Sequence, residues 1–511
     1  MQSVTRRQVL LSLAGGAFAL PIARTEARDA RQSVELLQYA WSDSGVPNPF
    51  QVSPAGPGGP ILVSLIFDTL TWKDDKGIIP WLASEWSISS DGLTYTFRIV
   101  SGATWQDGKP LTADDVAFSF AYYARHSYVW MRSDVVESAT AEGDTVRIIL
   151  NRPYAAFIED VTGIVPIIPK HVWESVDDPI LYAGSDRSLG SGPYVLAEYN
   201  DTAGAYRLTA NDAYWNGTLK IAELRQLVIP PEALIQSVRE GGVDLASSPD
   251  ASVRDLLEDD RDLAVHESAP LSIVRLAVNT TQSPLDRVEV RQAIAFALDR
   301  KLIAETITRG PAIVGSAGVV PPETPWFNPG LPQYTYDPER ARDLLGGERL
   351  LMNLVADVRA REPDLMIPML EAVGITLNVQ RVDPATRVQL LRDGDFQLGL
   401  LTHIGVGGDP DYLRRWYSGE ETNAFAQGSL FSSEEYTRLA KEQAASLDMR
   451  ERKDLIFRMQ EILAEELPTI VLYHRRFYWI YDPIRFTPMK TWGGLMNGIP
   501  FPHNKLAFLA R

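Results

Sequence analysis

The 511-residue chain contains no cysteine, which excludes disulfide bonds, thiolate metal sites and a cysteine nucleophile. An N-terminal lipid anchor, which requires a cysteine, is not expected either. Histidine is scarce: none of the six stands in HExxH or HxxxH spacing, so a helix-borne zinc site is not predicted. The sequence also lacks a GxSxG nucleophile elbow, a Gly-Lys-Ser/Thr phosphate loop and a GxGxxG motif after a strand. We therefore predict no catalytic residues, no metal site and no cofactor.

Basic side chains are in deficit as well. There are 49 lysines and arginines against 66 aspartates and glutamates, giving a formal net charge of −17. Such a chain is repelled by polyanions, so nucleic acid and anionic membrane surfaces are not expected partners. Hydrophobic residues make up 45% and charged residues 23%, which is typical of a folded soluble protein. The length exceeds that of one ordinary core, which predicts two or three lobes.

Residues 1–30 are interpreted as a twin-arginine export signal rather than as part of the fold. Arg6 and Arg7 precede an apolar run from Val9 to Leu20, which is too short to span a bilayer as a mature helix. Small residues follow between positions 23 and 30, where cleavage is expected; they disfavour the alternative of a chance arginine pair before a core helix. The protein is therefore expected in the periplasm or the cell exterior, exported by the twin-arginine route.

The stretch 81–120 is the most regular part of the sequence. An Asp-Gly turn precedes the alternating run Thr94 to Ile99, which predicts a strand. After a second Asp-Gly turn, Thr112 and Asp115 have the spacing of a capping box and predict the start of a helix. None of these residues is arranged for chemistry.

This stretch carries a resemblance to a known family. The residues WLASEW, DGLTYTF and DGKPLTADDV, with the later Gly192-Pro193-Tyr194 turn and the helix VEVRQAIAFALDRK from Val288 to Lys301, resemble the bacterial extracellular solute-binding proteins of family 5. The resemblance covers nearly the whole chain from about Val34. It implies a receptor of an ABC importer for peptides, nickel or oligosaccharides, with a ligand held between two lobes.

The distal half alternates strands and helices between 350 and 402, which is the α/β pattern. Near the end, the sequence predicts a helix from Met449 to Glu466 and then one long aromatic-rich β run from Ile470 to Tyr481. The fold class is therefore α/β, and the resemblance implies the two-lobed periplasmic-binding-protein fold of class II type with an extra subdomain inserted in the first lobe. The expected boundaries are 31–50, 185–272 and 482–511 for lobe I, 51–184 for the inserted subdomain, and 273–481 for lobe II.

The segment LLTHIGVGGDPDYLRRW is where the sequence departs from the family pattern. Peptide-binding members carry a tryptophan and, three residues later, an aspartate that pairs with the peptide ammonium; here those positions correspond to His403 and Val406. Valine cannot neutralise a buried ammonium, which weakens the interpretation as an ordinary dipeptide receptor unless Asp409 substitutes. Asp409 follows a strand in a glycine-rich loop that includes Gly407, and its alternative role is a turn cap.

Aromatic residues are abundant, and most are expected in the core. Flat aromatic faces also suit sugar rings and apolar side chains, so some are candidates for the cleft. The aromatic candidates for ligand binding are Trp41, Tyr128, Trp130, Trp416, Phe425 and Trp492.

The sequence thus predicts a monomeric periplasmic receptor that binds a peptide or peptide-like solute and docks on an ABC permease. An oligosaccharide receptor of the same family is the alternative ligand class. Two hypotheses of other classes stay open: an exported hydrolase, and a chaperone or signalling receptor that kept the fold without a transporter.

Overall fold

The computed structural model describes residues 36–53, 58–128, 134–310, 313–315, 318–419, 430–495 and 503–510. The expected export signal over 1–30 and the candidates Trp130 and Phe425 lie outside the described residues. In the described part of the chain, no helix has the length and apolar character needed to cross a bilayer.

The strands are numbered in chain order. They are β1 Leu36–Ala40, β2 Thr71–Lys73, β3 Ile78–Pro80, β4 Ala83–Ile88, β5 Thr94–Ile99, β6 Val136–Glu142, β7 Thr145–Leu150, β8 Tyr194–Asn200, β9 Ala205–Ala210, β10 Glu223–Leu227, β11 Leu245–Ser248, β12 Ala264–Glu267, β13 Ser272–Val278, β14 Ile313–Val314, β15 Leu350–Asp357, β16 Ile375–Val382, β17 Leu398–Ile404, β18 Thr469–Arg475 and β19 Tyr478–Tyr481.

The α-helices follow the same order. They are α1 Gly58–Ile66, α2 Ala113–Tyr123, α3 Lys170–Trp173, α4 Leu234–Arg239, α5 Ser252–Leu256, α6 Val288–Ala297, α7 Arg300–Thr308, α8 Pro338–Leu345, α9 Glu362–Glu371, α10 Pro384–Asp393, α11 Tyr412–Tyr417, α12 Glu434–Ala445 and α13 Met449–Glu466. A π-helical turn spans Phe157–Val161.

Two large sheets define the two lobes. The first sheet has the strand order β12-β19-β11-β1-β10-β9-β8, and the second has the order β14-β18-β13-β17-β15-β16. Strands β1, β10 and β11 run parallel in the first sheet, as do β15, β16 and β17 in the second, and the remaining pairings are antiparallel. The chain passes between the sheets at residues 268–271 and again at 476–477, which we call the two crossovers.

The expected inserted subdomain carries the four-stranded sheet β4-β5-β7-β6 and the pair β2-β3. Its apolar side chains belong to the same core as those of the first sheet: Phe97 and Trp173 lie in one buried cluster with Leu37 and Leu224. The first lobe and the inserted segment therefore share one core, whereas the second sheet packs its own clusters.

Two expectations from the sequence require correction. The aromatic run 470–481, which we predicted as one β segment of lobe II, is split, and β19 pairs with β11 and β12 of the first sheet. The helix expected over 288–301 is also interrupted, because Leu298 is extended and the Asp299 carboxylate accepts a hydrogen bond from the Leu302 N–H, which begins a second helix. The capping box at α2 is confirmed.

The C-terminal segment completes the first lobe. Lys505 and Asp68 are fully buried, with 2.7 Å between Lys505 Nζ and Asp68 Oδ1. The ammonium also lies over the rings of Trp72 and Trp81, at 4.1 and 4.8 Å from their centroids. The tail is thus fixed in the core by a buried ion pair surrounded by aromatic rings.

Candidate functional site

The loop after β17 meets the first lobe. Ile404, the last residue of that strand, packs against the core of the first lobe. A Cβ atom placed on Gly493, whose φ is +63°, would lie 3.0 Å from the Gly407 carbonyl oxygen. A Cβ atom placed on Gly407 would lie 2.2 Å from a methyl carbon of Leu271, which belongs to the first crossover. The glycine-rich loop is therefore the place where the second sheet reaches the returning C-terminal segment.

His403, a predicted ligand residue, is buried within the second lobe. Arg275 Nη2 lies 3.2 Å from His403 Nε2, and because a guanidinium only donates, this imidazole nitrogen accepts. Burial, followed by the charges of Arg275 and Arg387, lowers the pKa of His403 well below its ordinary value. The imidazole is therefore neutral, and its Nε2 lone pair is engaged rather than available to take a proton from a nucleophile.

Trp416 completes this group on α11. Its ring centroid lies 4.7 Å from that of His403, and the Arg275 guanidinium carbon lies 5.2 Å from the Trp416 centroid. The structure therefore brings two of the predicted site residues, His403 and Trp416, into direct contact, with Arg275 as an arginine that sequence reasoning missed. Arg275 stands in the interior of a strand without any local motif to mark it.

Val406 is 1% exposed and belongs to an apolar cluster with Ile273 and Leu413. Its carbonyl accepts a hydrogen bond from the Tyr412 hydroxyl at 3.2 Å. At the position that the resemblance matches to the acidic residue of peptide receptors, this chain therefore has an apolar, buried side chain.

The carboxylate of Asp409 is engaged by a buried arginine and by the turn that follows it, which is the alternative role considered above. Arg452 Nη1 lies 2.5 Å from Asp409 Oδ2, and Arg452 Nη2 lies 2.6 Å from Asp409 Oδ1, which is a bidentate pair. Asp409 Oδ1 also accepts from the Asp411 N–H at 2.9 Å. Burial alone would lower the pKa of Arg452, but the Asp409 charge raises it overall. The carboxylate is therefore occupied by a buried arginine from α13.

Asp411 joins the two lobes. In the second lobe it accepts two hydrogen bonds from Arg414, at 2.8 and 2.7 Å, and one from Gln443 at 2.9 Å. From the first lobe, the Tyr154 hydroxyl lies 3.0 Å from Asp411 Oδ2. The Arg414 guanidinium carbon is 5.8 Å from the Tyr154 ring centroid. Sequence reasoning missed this contact because the two partners stand 257 positions apart.

The other aromatic candidates separate into three environments. Trp41, at the end of β1, is partly buried and stacks on Trp479 with ring centroids 5.7 Å apart. Tyr128 is 2% exposed and packs near Tyr123 in the core, and its role in ligand binding stays a prediction. Among the aromatic candidates that the structure describes, Trp492 is the most accessible, at 38% exposed, and its backbone N–H donates to the Asp74 carbonyl.

A cavity of about 240 Å³ lies beside the two crossovers. It is lined from both lobes, and its walls include Leu271, Glu323, Arg476, Trp479, Lys490 and Thr491. Arg476 is already paired with Glu267 at 3.0 Å and with Glu323. Among the described residues, no group of three or more histidines and acidic side chains is placed to hold a metal ion.

Comparison with known proteins finds relatives that match most of the chain. The model for bacterial extracellular solute-binding proteins, family 5 Middle, matches residues 77–425. The dipeptide-binding protein of Escherichia coli is 26% identical over 450 residues, covering 80% of this chain and 82% of that protein. Heme-binding protein A of Haemophilus influenzae is 27% identical over 441 residues, covering 79% and 80%.

Solved structures show the same fold. NikZ from Campylobacter jejuni in complex with Ni(L-His) has a TM-score of 0.79 at 21% identity, covering 93% of this chain and 99% of that one. The oligopeptide-binding protein AppA from Bacillus subtilis, in complex with a nonapeptide, has a TM-score of 0.78 at 20% identity, covering 94% and 100%. The expected two-lobed α/β fold is confirmed.

Proposed function

The chain belongs to family 5 of the bacterial extracellular solute-binding proteins, and on that premise we propose that it holds a peptide-like solute without a free amino terminus between its lobes. The family consists of binding proteins that are periplasmic or extracellular and that work with ABC permeases. The receptor class follows from membership, and the ligand has to be argued from the residues of this chain.

The relatives differ in what they bind. Their names and structures record a dipeptide, heme, a nickel–histidine complex and a nonapeptide. The fold is therefore compatible with several classes of ligand. We infer the ligand class of this chain from the side chains that follow β17.

One observation carries the choice of ligand. In the described stretch 403–411, both carboxylates are neutralised by arginines, Asp409 by Arg452 and Asp411 by Arg414. Val406 is apolar and 1% exposed, so its side chain supplies no acceptor for an ammonium group. A buried ammonium without a carboxylate partner costs several kcal/mol, so a peptide with a free amino terminus gains nothing from this loop. A blocked or modified terminus removes that cost and suits the apolar surroundings.

The proposed location is the periplasm, and the proposed receptor has no lipid anchor and catalyses no reaction. The Arg6-Arg7 pair and the apolar run after it support export through the twin-arginine route to the periplasm. The cysteine-free sequence supports a receptor without a lipid anchor. We propose that the receptor is a monomer. We also propose that it catalyses no reaction, since the buried His403 has its Nε2 engaged by Arg275.

A matched pair of peptides tests the ligand class. We expect an N-acetylated hydrophobic tripeptide to bind at least as tightly as the same tripeptide with a free amino terminus, by isothermal titration calorimetry at pH 7. The physical reason is that only the free ammonium must be desolvated without a carboxylate. A preference of tenfold or more for the free peptide, about 1.4 kcal/mol, would contradict the proposal.

Two further measurements distinguish the alternative functions, a sugar receptor and a hydrolase. Stabilisation by an oligosaccharide in a thermal-shift screen, with no response to either peptide, would favour a sugar receptor. Mass spectrometry of the peptides after incubation should recover them intact. Cleavage that disappears in His403→Ala would instead establish a hydrolase.

A further inference from the structure

The hydroxyl group of Tyr154 stands between two carboxyl groups. Its oxygen lies 3.3 Å from Asp160 Oδ2 and 3.0 Å from Asp411 Oδ2. Both aspartates are almost fully buried, at 1% and 0% exposed. A tyrosine hydroxyl has one proton and donates one hydrogen bond, so it cannot satisfy two ionised carboxylates. Both contacts are hydrogen bonds when one of the two carboxyl groups carries a proton of its own.

Asp411 is the ionised member of the pair. It accepts from the charged Arg414 guanidinium twice and from the Gln443 amide once. Although burial alone would raise it, the contacts with Arg414 lower the pKa of Asp411 overall. The Tyr154 hydroxyl then donates to Asp411, and a protonated Asp160 donates to the Tyr154 oxygen.

The surroundings of Asp160 favour the neutral acid. Within the described part of the chain no lysine or arginine forms an ion pair with it. Burial raises the pKa of Asp160 well above its ordinary value of 3.8, and nearby negative charges add to this effect while the Arg415 charge opposes it. The charged groups that face this cluster are Lys73 and Glu159 from the first lobe, and Asp409, Asp411, Arg414, Arg415 and Arg452 from the second.

The cluster forms only when the lobes are together. Tyr154 and Asp160 belong to the first lobe, and Asp411 belongs to the second. The Ala155 N–H also donates to the Ala444 carbonyl at 2.7 Å across the same boundary. Because the sheets are linked by the two crossovers, rotation of the lobes about those segments would separate these partners.

We propose that closure of the two lobes takes up one proton at Asp160, so that the receptor closes more readily in acidic surroundings. This inference rests on the proposed function, since it describes the regulation of the same cleft. In the open state Asp160 is solvated and ionised above about pH 4, as an ordinary carboxyl group is. In the closed state it is neutral. The ratio of closed to open molecules therefore falls by up to tenfold for each pH unit of increase, until the carboxyl group ionises in the closed state as well.

The absence of cysteine allows a direct measurement without a ligand. Ser90 and Met449 are exposed, and they flank the contact between Gly92 and Leu447 at the lobe boundary. Nitroxide labels on Ser90→Cys and Met449→Cys in the full mature chain report opening as a longer distance in double electron–electron resonance. Between pH 8 and pH 5 we expect the short-distance population to grow, by up to tenfold in its ratio to the long one per pH unit.

Two variants decide the origin of any pH response. Asp160→Asn keeps the shape of the neutral acid without a titrating proton, so its population ratio should no longer change with pH. Asp114→Asn, on the exposed side of α2, is the matched control and should retain the wild-type response. An equal pH response in wild type and Asp160→Asn, or no response in wild type, would overturn the inference.

The folding of Asp160→Asn is checked by its melting temperature at pH 5, which should equal or exceed that of wild type. Because this experiment uses no solute, its failure is separate from failure of the proposed function. The proposed function fails instead if neither the acetylated nor the free peptide binds to wild type.

Discussion

Replacing Asp68 by alanine is expected to lower the free energy of unfolding of the first lobe by about 3–5 kcal/mol. Asp68 Oδ1 accepts from Trp81 Nε1 at 2.7 Å and from Lys505 Nζ at 2.7 Å, and its Oδ2 accepts from Trp215 Nε1 at 2.9 Å. Alanine leaves a buried ammonium and two indole N–H groups without their acceptor. Urea unfolding followed by tryptophan fluorescence measures the loss, because the affected indoles surround the site.

Comparison of a single with a double variant separates the ion pair from the other hydrogen bonds. Asp68→Asn combined with Lys505→Met removes both charges and should be more stable than Asp68→Asn alone, since no ammonium is left unpaired. Asp75→Ala, an exposed acid nearby, should change the free energy of unfolding by less than about 0.5 kcal/mol. A loss below about 1 kcal/mol for Asp68→Ala would show that the tail is not held by this pair.

The second large effect is expected at Arg452. Replacing it by methionine leaves Asp409 as a buried carboxylate without its bidentate partner, and should cost the second lobe about 3–5 kcal/mol. The pair is nearly inaccessible, with side chains 2% and 5% exposed. Thermal unfolding and urea unfolding of the purified variant check this. Glu442→Gln, which removes the exposed pair with Arg438 at 2.8 Å, should cost less than about 1 kcal/mol.

The same pair decides whether Asp409 binds ligand. If its role is structural, Asp409→Asn should lower the melting temperature while the folded variant keeps its affinity for the acetylated tripeptide within about threefold, or 0.6 kcal/mol. Adding Arg452→Met should restore part of the stability, because the unpaired charge is removed. An affinity loss above tenfold at unchanged stability would show instead that Asp409 contacts the ligand.

The elements that could be predicted from the sequence are those with local causes. Helix α13 begins and ends at Met449 and Glu466 as expected, because its apolar spacing and the preceding Asp448 are both visible in the sequence. Strand β5 and the capping box of α2 follow from alternation and from residues three positions apart. The α/β class follows from the same periodicity.

What could not be predicted depends on distant partners. Asp409 was a candidate for ligand binding because its ion-pair partner, Arg452, stands 43 positions later and is not marked by any local pattern. The run 470–481 looked continuous because both of its halves are apolar and aromatic; only the pairing of each half with a different sheet separates them. Tyr154 and Asp160 carried no motif, since their importance comes from Asp411 in the other lobe.

The position of β19 has a consequence for how the protein is made. This strand lies inside the first sheet, between β12 and β11, although it is formed by residues 478–481. Until a ribosome has released those residues, the edges of β11 and β12 have no partner and the site of Lys505 in the core is unfilled. The first lobe therefore cannot complete its sheet and its core until these late residues have been synthesised, and a truncated product would expose two strand edges suited to aggregation. The first part of the chain to be made is completed by the last.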